Sequence, residues 1–305
     1  MFELRLENES GNIVDINDGV RYLVIPPVSG LTPPSASIFT SKSPNRKGAK
    51  YNGSTLDERN IVITIKLLGD IEANRNALYE WVDTEQYAKV YYRNGAKNVY
   101  CEGYVQDCDI DLFTDNETVN LAILCPDPFW RDIQEIAVDI SALLRQFTFP
   151  FAIAHEETVT YSSPNPDGTA ATATMNKGIP FSTMRSDNAT TVFNAGAETG
   201  MTITVKCGSN LKNFEMYDAK DTTRRFKVNG TIIAGSVLII DTDASPKTCK
   251  VMNSNGTISN MMKYIGSNPT WFTVKKGVNT FAYTAESGVA DAVVTIGFTN
   301  KYLGV

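Results

Sequence analysis

The chain has 305 residues, of which 42% are apolar and 20% charged, and its 34 acidic and 28 basic side chains give a formal net charge of -6. This length favours two domains over one, and the composition is that of a folded globular protein rather than a disordered or fibrous one. The acidic balance argues against a dedicated nucleic-acid-binding protein, which needs a basic face for phosphate groups.

No segment has the pattern of an export signal or a membrane span. The residues after Met1 are polar and acidic, without the apolar centre of a signal peptide. No uninterrupted run of about 18 apolar residues occurs. We therefore expect a soluble protein that lacks a signal peptide and has no contact with a membrane.

The cysteines are odd in number and show no paired CxxC spacing. This pattern predicts neither a disulfide framework nor a zinc site. We expect reduced, mostly buried thiols at Cys101, Cys108, Cys125, Cys207 and Cys249.

The N-terminal part predicts short strands followed by a long loop. Apolar residues on both sides of the polar stretch 8–12 predict a hairpin. The strand at residues 21–25 ends at Pro26, because proline cannot continue a hydrogen-bonded ladder. Residues 29–54 are rich in Gly, Pro, Ser and Lys, which predicts a loop. Since loops longer than about 15 residues are uncommon and often functional, we predict an interaction element here.

The clearest strand and the one strong helix follow directly. Residues 59–68 alternate between apolar and polar side chains, which is the period of a half-buried strand. Gly69 breaks the strand, and Asp70 is a suitable N-cap for an amphipathic helix over residues 71–83. One helix packed on a sheet is therefore predicted. The apolar face of the strand comprises Ile61, Ile63, Ile65 and Leu67.

More strands complete the first half of the chain. The dipeptide Asn94-Gly95 predicts a hairpin between residues 90–92 and 99–101, because Asn-Gly readily takes the positive φ angles of a tight turn. Residues 103–105 continue the β pattern, and a strand at 119–125 ends at the Pro-Asp-Pro sequence that follows it.

The second half predicts a sandwich. Residues 131–145 suit a helix or a strand equally well, and we interpret 131–150 as the connection between a first domain at 1–130 and a second at 151–305. From about Phe147 the composition shifts to Thr, Ser, Ala, Gly and Asn, with short β runs between Asn-Gly turns. The predicted fold is mainly β: a small β domain with one packed helix, then an antiparallel β-sandwich or jelly roll.

No residue is assigned a catalytic, cofactor-binding or metal-binding role. His155, the single histidine, is followed by two glutamates and is the only histidine that could act as a general base, but no Gly-x-Ser-x-Gly elbow accompanies it. Cys101 and Cys108 lack a neighbouring base, which favours core packing over a thiol nucleophile. We therefore predict that the protein is not an enzyme.

One acidic stretch begins like an EF-hand loop. Asp107, Asp109 and Asp111 have the required spacing, but Leu112 replaces the glycine of the sharp turn and Thr118 replaces the bidentate glutamate. The solvent-facing side of a strand is the favoured interpretation.

Three aromatic residues of the second half are candidates for stacking on a sugar: Tyr264, Trp271 and Phe272. The last two open a predicted strand, where large rings more often cover the end of a sandwich. A carbohydrate-binding module that recognises host cell-wall polysaccharide is therefore the alternative function. A hydrolase has no support in the sequence.

A series of patches in fixed order resembles the siphovirus-type distal tail protein family of Gram-positive phages and prophages. It covers nearly the full chain and is more specific in the first 130 residues, where Cys125-Pro126-Asp127-Pro128-Phe129-Trp130 is one of the patches. The others are residues 6–11, 30–34, 59–63, 70–79, 103–105, 149–151, 194–196, 239–242, 275–279 and 302–305.

The resemblance implies a split β-barrel that forms a six-fold ring at the end of the tail tube, with a galectin-like sandwich projecting outward. It implies a virion tail protein, made and assembled in the host cytoplasm, with the tail tube, tape-measure and tail-tip or receptor-binding proteins as neighbours. It brings no catalytic residues. As the contact surfaces of a ring subunit we predict the loop at residues 29–54 and the strand at 61–67, because a cyclic head-to-tail contact needs two different patches on each copy.

Overall fold

The computed structural model describes residues 2–141 and 189–305, apart from positions 44–46, 83–84, 96, 113, 115 and 244, and in addition two short strands at 143–145 and 182–184. His155 and the patch at 149–151 lie outside the described residues. The described chain is mainly β and forms two hydrophobic cores, which confirms the predicted fold class.

The N-terminal part, which contains the first core, has ten strands and one helix. In chain order they are β1 (Glu3–Asn8), β2 (Ile13–Asp15), β3 (Tyr22–Ser29), β4 (Ala36–Ser41), β5 (Lys50–Leu56), β6 (Arg59–Leu67), α1 (Ile71–Trp81), β7 (Tyr87–Asn94), β8 (Lys97–Ile110), β9 (Thr118–Cys125) and β10 (Trp130–Asp132).

One antiparallel sheet carries this core, with the strand order β2-β1-β7-β8-β9-β6-β3. Strand β10 lies beside β8. The alternation predicted for residues 59–68 is confirmed, because the predicted apolar face of β6 is at most 2% exposed at every position from Ile61 to Leu67. The predicted Asn94-Gly95 hairpin joins β7 to β8.

Helix α1 covers one side of the sheet through Leu78 and Trp81, which are both buried. The side chain of Asp70 accepts a hydrogen bond from the backbone N–H of Ala73 at 3.1 Å, as an N-cap does. The helix ends at Trp81, two residues before the predicted end. It is the only α-helix in the described part of the chain, and no helix there is long and apolar enough to cross a membrane.

The turn from β2 into β3 is organised by Asp18, whose Oδ1 accepts hydrogen bonds from the backbone N–H groups of Val20, Arg21 and Tyr22 at 2.8 to 3.0 Å. Burial raises the pKa of this carboxyl, but the three N–H donors outweigh burial and lower the pKa to about 2.

We therefore expect Asp18→Asn to lower the free energy of unfolding by about 1–2 kcal/mol at neutral pH. A carboxyl with a depressed folded-state pKa stabilises fully above its ordinary value of 3.8 and loses that contribution as the pH falls to 2. The variant and the wild type should accordingly converge at pH 2 in urea unfolding followed by circular dichroism. An unchanged difference between pH 6 and pH 2 would contradict this assignment.

The rest of the described chain, which contains the second core, has thirteen strands. They are β11 (Ile136–Ser141), β12 (Leu143–Arg145), β13 (Ser182–Met184), β14 (Ala189–Asn194), β15 (Thr202–Cys207), β16 (Leu211–Asp218), β17 (Asp221–Ile232), β18 (Val237–Asp241), β19 (Thr248–Met252), β20 (Ile258–Asn260), β21 (Gly277–Thr284), β22 (Ala292–Phe298) and β23 (Lys301–Tyr302).

Two antiparallel sheets face each other across this core. One has the order β11-β22-β15-β18-β19-β20 and the other the order β14-β21-β16-β17. Alternate residues of both sheets point inward, as in β18, where Leu238 and Ile240 are fully buried. The predicted β-sandwich is therefore confirmed.

Two strands link the parts of the chain that contain the two cores. Residues 131–145, for which helix and strand were both open, form strands, and β11 pairs with β22 in the sandwich. The final strand β23 returns to the first sheet and pairs with β10. The N-terminal sheet therefore contains residues from both ends of the described chain.

Two predictions about the contact surfaces need correction. Residues 29–54 are not a loop, because they contain the end of β3, all of β4 and most of β5. The strand at 61–67 has no free edge, because β6 is hydrogen-bonded to β9 on one side and to β3 on the other. It therefore cannot add a strand from a neighbouring molecule.

Candidate functional site

Strands β4 and β5 form a two-stranded hairpin, which we call the arm, that pairs with no other strand in the described structure. Every residue of β4 is exposed, and so is every residue of β5 except Gly53. A register shift between Phe39 and Thr40 lies opposite Gly53, whose φ of +151° suits glycine. An isolated hairpin of this kind is at best marginally stable in water.

The arm carries apolar side chains that nothing covers. Ile38, Phe39 and Tyr51 are 63%, 55% and 61% exposed, and Leu56 near the base of the arm is 42% exposed. Exposed apolar side chains gathered on one element mark an interaction surface. The arm is also cationic, because residues 19–56 contain lysines and arginines but no carboxylate.

The base of the arm is closed by Asp57. Its carboxylate accepts hydrogen bonds from the hydroxyl groups of Ser35 at 2.9 Å and Ser37 at 2.8 Å. Its backbone N–H donates to the carbonyl oxygen of Ser35 at 3.0 Å. These bonds hold the two strands together where they leave the first core.

Arg59 lies directly behind this base and is 2% exposed. Its guanidinium donates to the carbonyl oxygens of Gly30, Thr32 (2.7 Å), Pro128 (2.8 Å) and Leu303 (2.6 Å). Burial lowers the pKa of Arg59, but an arginine stays charged in proteins. One buried cation therefore joins the segment before the arm, the end of the first sheet and the last residues of the chain.

The last residues also touch the segment before the arm directly. The backbone N–H of Val305 donates to the carbonyl oxygen of Leu31 at 3.1 Å. A Cβ at Gly304 would lie only 2.9 Å from Cδ of Pro33, and a Cβ at Gly30 would overlap the carbonyl oxygen of Asn60. Both glycines permit a close backbone approach that any larger residue would prevent.

A cluster of charges links the two cores near the same place. Arg131 contacts Asp127 at 2.7 Å and Asp243 at 2.9 Å, and Lys301 contacts Asp243 at 2.8 Å. Burial raises the pKa of Asp243, but Lys301 and Arg131 outweigh burial and hold the pKa below its ordinary value. Burial lowers the pKa of Arg131, but its two carboxylate partners outweigh burial and raise it.

A groove of about 270 Å³ lies near the edge of the first sheet that is formed by β2. The opposite edge of that sheet is formed by β3. Ile13 and Ile133 line it and are 61% and 46% exposed. Arg5, Tyr91 and Arg93 form polar parts of its wall. The arm follows β3, so the arm and this groove belong to opposite edges of one sheet.

The residues considered for chemistry do not converge on a site. Cys101, Cys125, Cys207 and Cys249 are buried and free, and Cys108 is half-buried and free. Burial raises the pKa of Cys207 and of Cys249 to about 11, which makes both thiols poor nucleophiles.

The acidic stretch lies at the end of strand β8. Asp107 and Asp109 lie on the exposed side of β8, as predicted, and Asp111 follows that strand. Within the described ranges, no group of three or more His, Cys, Asp or Glu residues could hold a metal ion.

The three aromatic residues considered for sugar stacking separate into two groups. Phe272 is fully buried, and Trp271 packs edge-on against Phe226 with ring centroids 4.9 Å apart. Phe272 therefore offers no face to a sugar, and Trp271 is partly buried against the core of the sandwich. Tyr264 alone is exposed, at 40%.

Sequence reasoning missed Arg59 and the charge cluster altogether. Arg59 opens the alternating strand β6 in phase with Ile61 and Ile63, so its place on the apolar face was a signal that it is buried, although this signal names no partner. The arm had a visible signal in Ile38-Phe39 and Tyr51, which stand in an otherwise polar segment.

Two family models match the chain. Residues 16–125 match a phage tail protein RIFT-related domain, and residues 194–302 match the C-terminal domain of a siphovirus-type tail component. No relative was found among curated proteins.

Solved structures share the fold over the full length. The crystal structure of the Dit protein of phage SPP1, described as a paradigm of the hub adsorption apparatus in phages that infect Gram-positive bacteria, has a TM-score of 0.66 at 15% identity and covers 99% of both chains. A chain of the phage P2 baseplate in its activated, calcium-containing conformation has a TM-score of 0.52 at 11% identity and covers 100% of both chains. At these identities the likeness shows the fold alone.

Proposed function

Because the chain belongs to the siphovirus-type distal tail protein family and is a structural component of a phage tail or baseplate, we propose that it forms a homo-oligomeric ring that joins the tail tube to the host-adsorption apparatus. The ring has six copies, and its function comes from geometry rather than catalysis. Its place is the virion tail, after synthesis in the host cytoplasm.

The observation that carries this proposal is the uncovered arm. A hairpin that leaves the protein with three large apolar side chains more than half exposed needs a surface on another molecule. In a cyclic head-to-tail assembly, each copy offers one element and receives another at a different place. The arm meets the first requirement.

The groove beside β2 is the receiving surface in this proposal. It lies at the opposite edge of the same sheet, its exposed isoleucines are apolar partners for the arm, and its volume of about 270 Å³ is sufficient for an aromatic side chain. Phe39 or Tyr51 of one copy then packs against Ile13 and Ile133 of the next.

The two cores have different tasks in the ring. Residues 1–130 form the ring, residues 131–150 the connection and residues 151–305 the projecting sandwich, with β11 and β23 as the strands that cross these boundaries. Tail-tube and tape-measure proteins are the partners at the ring, and tail-tip or receptor-binding proteins are the partners of the sandwich.

The test is the mass of the purified chain over a concentration series, by size exclusion with light scattering and by negative-stain microscopy. Deleting residues 41–50 is expected to abolish rings and to leave the β-type circular-dichroism spectrum unchanged, because these residues contribute nothing to either described core. Rings that persist without residues 41–50 would refute the role of the arm.

A point variant separates apolar contact from arm length. The double variant Phe39→Ser, Tyr51→Ser is expected to convert the oligomeric rings to protomers at micromolar concentration. The reason is that these two aromatic side chains supply most of the apolar surface that the arm can bury. The matched control is the double variant Ile233→Ser, Ile258→Ser. It removes two similarly exposed apolar side chains from the surface of the sandwich and should leave the oligomeric rings intact.

A further inference from the structure

At one side of the sandwich around the second core each of the two sheets ends in an edge strand, and residues 261–266 cross from one sheet to the other. Strand β20 ends the six-stranded sheet and β17 ends the four-stranded one. A groove of about 320 Å³ lies between them. It is lined by residues that include Thr231, Ile233, Val251, Ser259, Lys263 and Tyr264.

Exposed apolar side chains lie on both sides of strand β20. Ile233 lines the groove and is 67% exposed. Ile258 is 64% exposed and pairs in register with Met252 of β19, which is 37% exposed. Because Met252 alternates with the buried Val251, Met252 and Ile258 lie on the outer face of the six-stranded sheet.

Strand β20 offers free backbone groups on its outer edge. The N–H of Met261 donates to the carbonyl oxygen of Cys249, and the N–H of Asn253 donates to that of Thr257. Alternate residues of an antiparallel strand face the same neighbour, so Ser259 also faces β19. The main-chain N–H and C=O groups of Ile258 and Asn260, the other two residues of β20, therefore point away from the sheet. Neither proline nor charge protects this edge.

The surroundings of the groove are cationic in an acidic protein. Between Asp243 and Glu286 the sequence has five lysines and no carboxylate, although the whole chain carries a formal charge of -6. Lys250 pairs in register with Asn260 of β20, and Lys263 lines the groove. Neither lysine forms an ion pair with a described carboxylate. The ammonium group of Lys263 lies over the ring of Tyr264, which leaves its charge unneutralised.

We propose that this side of the sandwich binds an acidic, extended segment of another protein, which adds a strand to the free edge of β20. Its backbone pairs with Ile258 and Asn260, and its side chains alternate between the outer face of the sheet and the groove. On the outer face it meets Ile258 and Lys250, and in the groove it meets Ile233 and Lys263, so on each side an apolar side chain and a carboxylate find a partner. A sugar would need an open aromatic face, whereas the ring of Tyr264 already holds the ammonium group of Lys263 at 4.9 Å.

The experiment is an affinity selection from a random library of twelve-residue peptides on the full-length chain, with the Lys250→Glu, Lys263→Glu double variant as counter-selection. We expect the enriched peptides to be acidic and to carry apolar residues as well. Their affinity, measured by fluorescence anisotropy, should fall about tenfold or more in the double variant, because like charges then face each other. Enriched peptides without net negative charge, or with equal affinity for both baits, would overturn the proposal.

The edge itself is tested by Ile258→Pro, with Ile258→Val as the matched control. Proline removes only an N–H that points away from the sheet, and edge strands accept proline at such positions, so the thermal melt should stay close to that of the wild type. We expect Ile258→Pro to abolish peptide binding and Ile258→Val to preserve it. The proposal is wrong, and the partner is a glycan, if two results are found together. Polygalacturonate binds the chain and loses affinity in the double lysine variant, whereas the affinity of the peptides is the same in the variant and the wild type.

This inference is independent of the ring. The chain without residues 41–50 should bind the selected peptides as the wild type does, since the arm projects from the part of the chain with the first core and the groove lies on the part with the second. Loss of rings with peptide binding intact, or the reverse, identifies which of the two proposals fails.

Discussion

Replacing Arg59 with methionine is expected to lower the free energy of unfolding by about 3–5 kcal/mol, a large fraction of the stability of an ordinary domain. Methionine keeps most of the apolar stem but donates no hydrogen bond. Four backbone carbonyl oxygens then lose their donor in a site that is 2% exposed. Each buried acceptor left without a partner costs about 1 kcal/mol or more.

The same change should also impair assembly, because two of the four carbonyl groups belong to the segment from which the arm starts. We expect the arm of the variant to lose its fixed direction and the rings to dissociate at concentrations at which the wild type is assembled. Amide hydrogen exchange at Val305, whose N–H donates to the carbonyl oxygen of Leu31, should become faster. Urea unfolding and light scattering measure the two effects separately.

Two substitutions serve as controls for Arg59. Arg59→Lys keeps the charge but not the planar fork of donors, so it should recover only part of the stability. Arg93→Met removes an arginine whose side chain is 60% exposed, and it should change stability by less than about 0.5 kcal/mol. A stable, ring-forming Arg59→Met variant would show that the carbonyl contacts do not hold the arm.

The elements that could be predicted from the sequence are those with a local physical cause. The alternation in β6 arises because one face of the strand is buried, and this cause lies within the strand itself. Helix α1 starts where predicted because Asp70 caps it within one turn. The turn at Asn94-Gly95 likewise depends on the backbone preference of two adjacent residues.

The strands of the arm escaped prediction because no local pattern produces them. Strands β4 and β5 are exposed on both faces, so they show no alternation of apolar and polar residues. Glycine, serine and lysine in that segment are typical of loops. The error about β6 has a related origin: alternation reveals which face of a strand is buried but not whether its edges are paired.

The anchor of the arm could not be predicted because its parts are far apart in the chain. Arg59 and Leu303 are 244 positions apart and meet only because β23 returns to the first sheet. A single arginine at the start of a strand predicts no specific partner, and backbone carbonyl acceptors leave no trace in the side-chain sequence.

Replacing Asp243 with asparagine is expected to lower the stability of the connection between the two cores by about 2–4 kcal/mol. Its carboxylate neutralises Lys301, whose side chain is 10% exposed, and Arg131, whose side chain is 21% exposed. Asparagine leaves both cations without that charge in a partly buried site. Because β23 and β10 carry these cations, the ladder that joins the end of the chain to the first sheet should weaken with them.

The matched control is Asp127→Asn. Asp127 contacts the same two cations, but its side chain is 39% exposed and its contact with Lys301 is longer, at 3.7 Å. Solvent screens such a pair, so we expect a loss of no more than about 1 kcal/mol. The order of the two effects, Asp243 well above Asp127, distinguishes a buried link from a surface ion pair.

Acid should reproduce the Asp243→Asn effect in the wild type. Because the folded-state pKa of Asp243 is lower than its ordinary value of 3.8, its contribution is fully present above that pH and is lost as the pH falls further. In a Trp81→Phe, Trp130→Phe background, tryptophan fluorescence comes from Trp271 and reports on the second core. We expect its urea midpoint and that of far-ultraviolet circular dichroism to move apart at pH 7 once Asp243→Asn is added, and only at low pH without it. If the two midpoints coincide in the variant at pH 7, the cores are coupled by other contacts and the charge cluster is not the link.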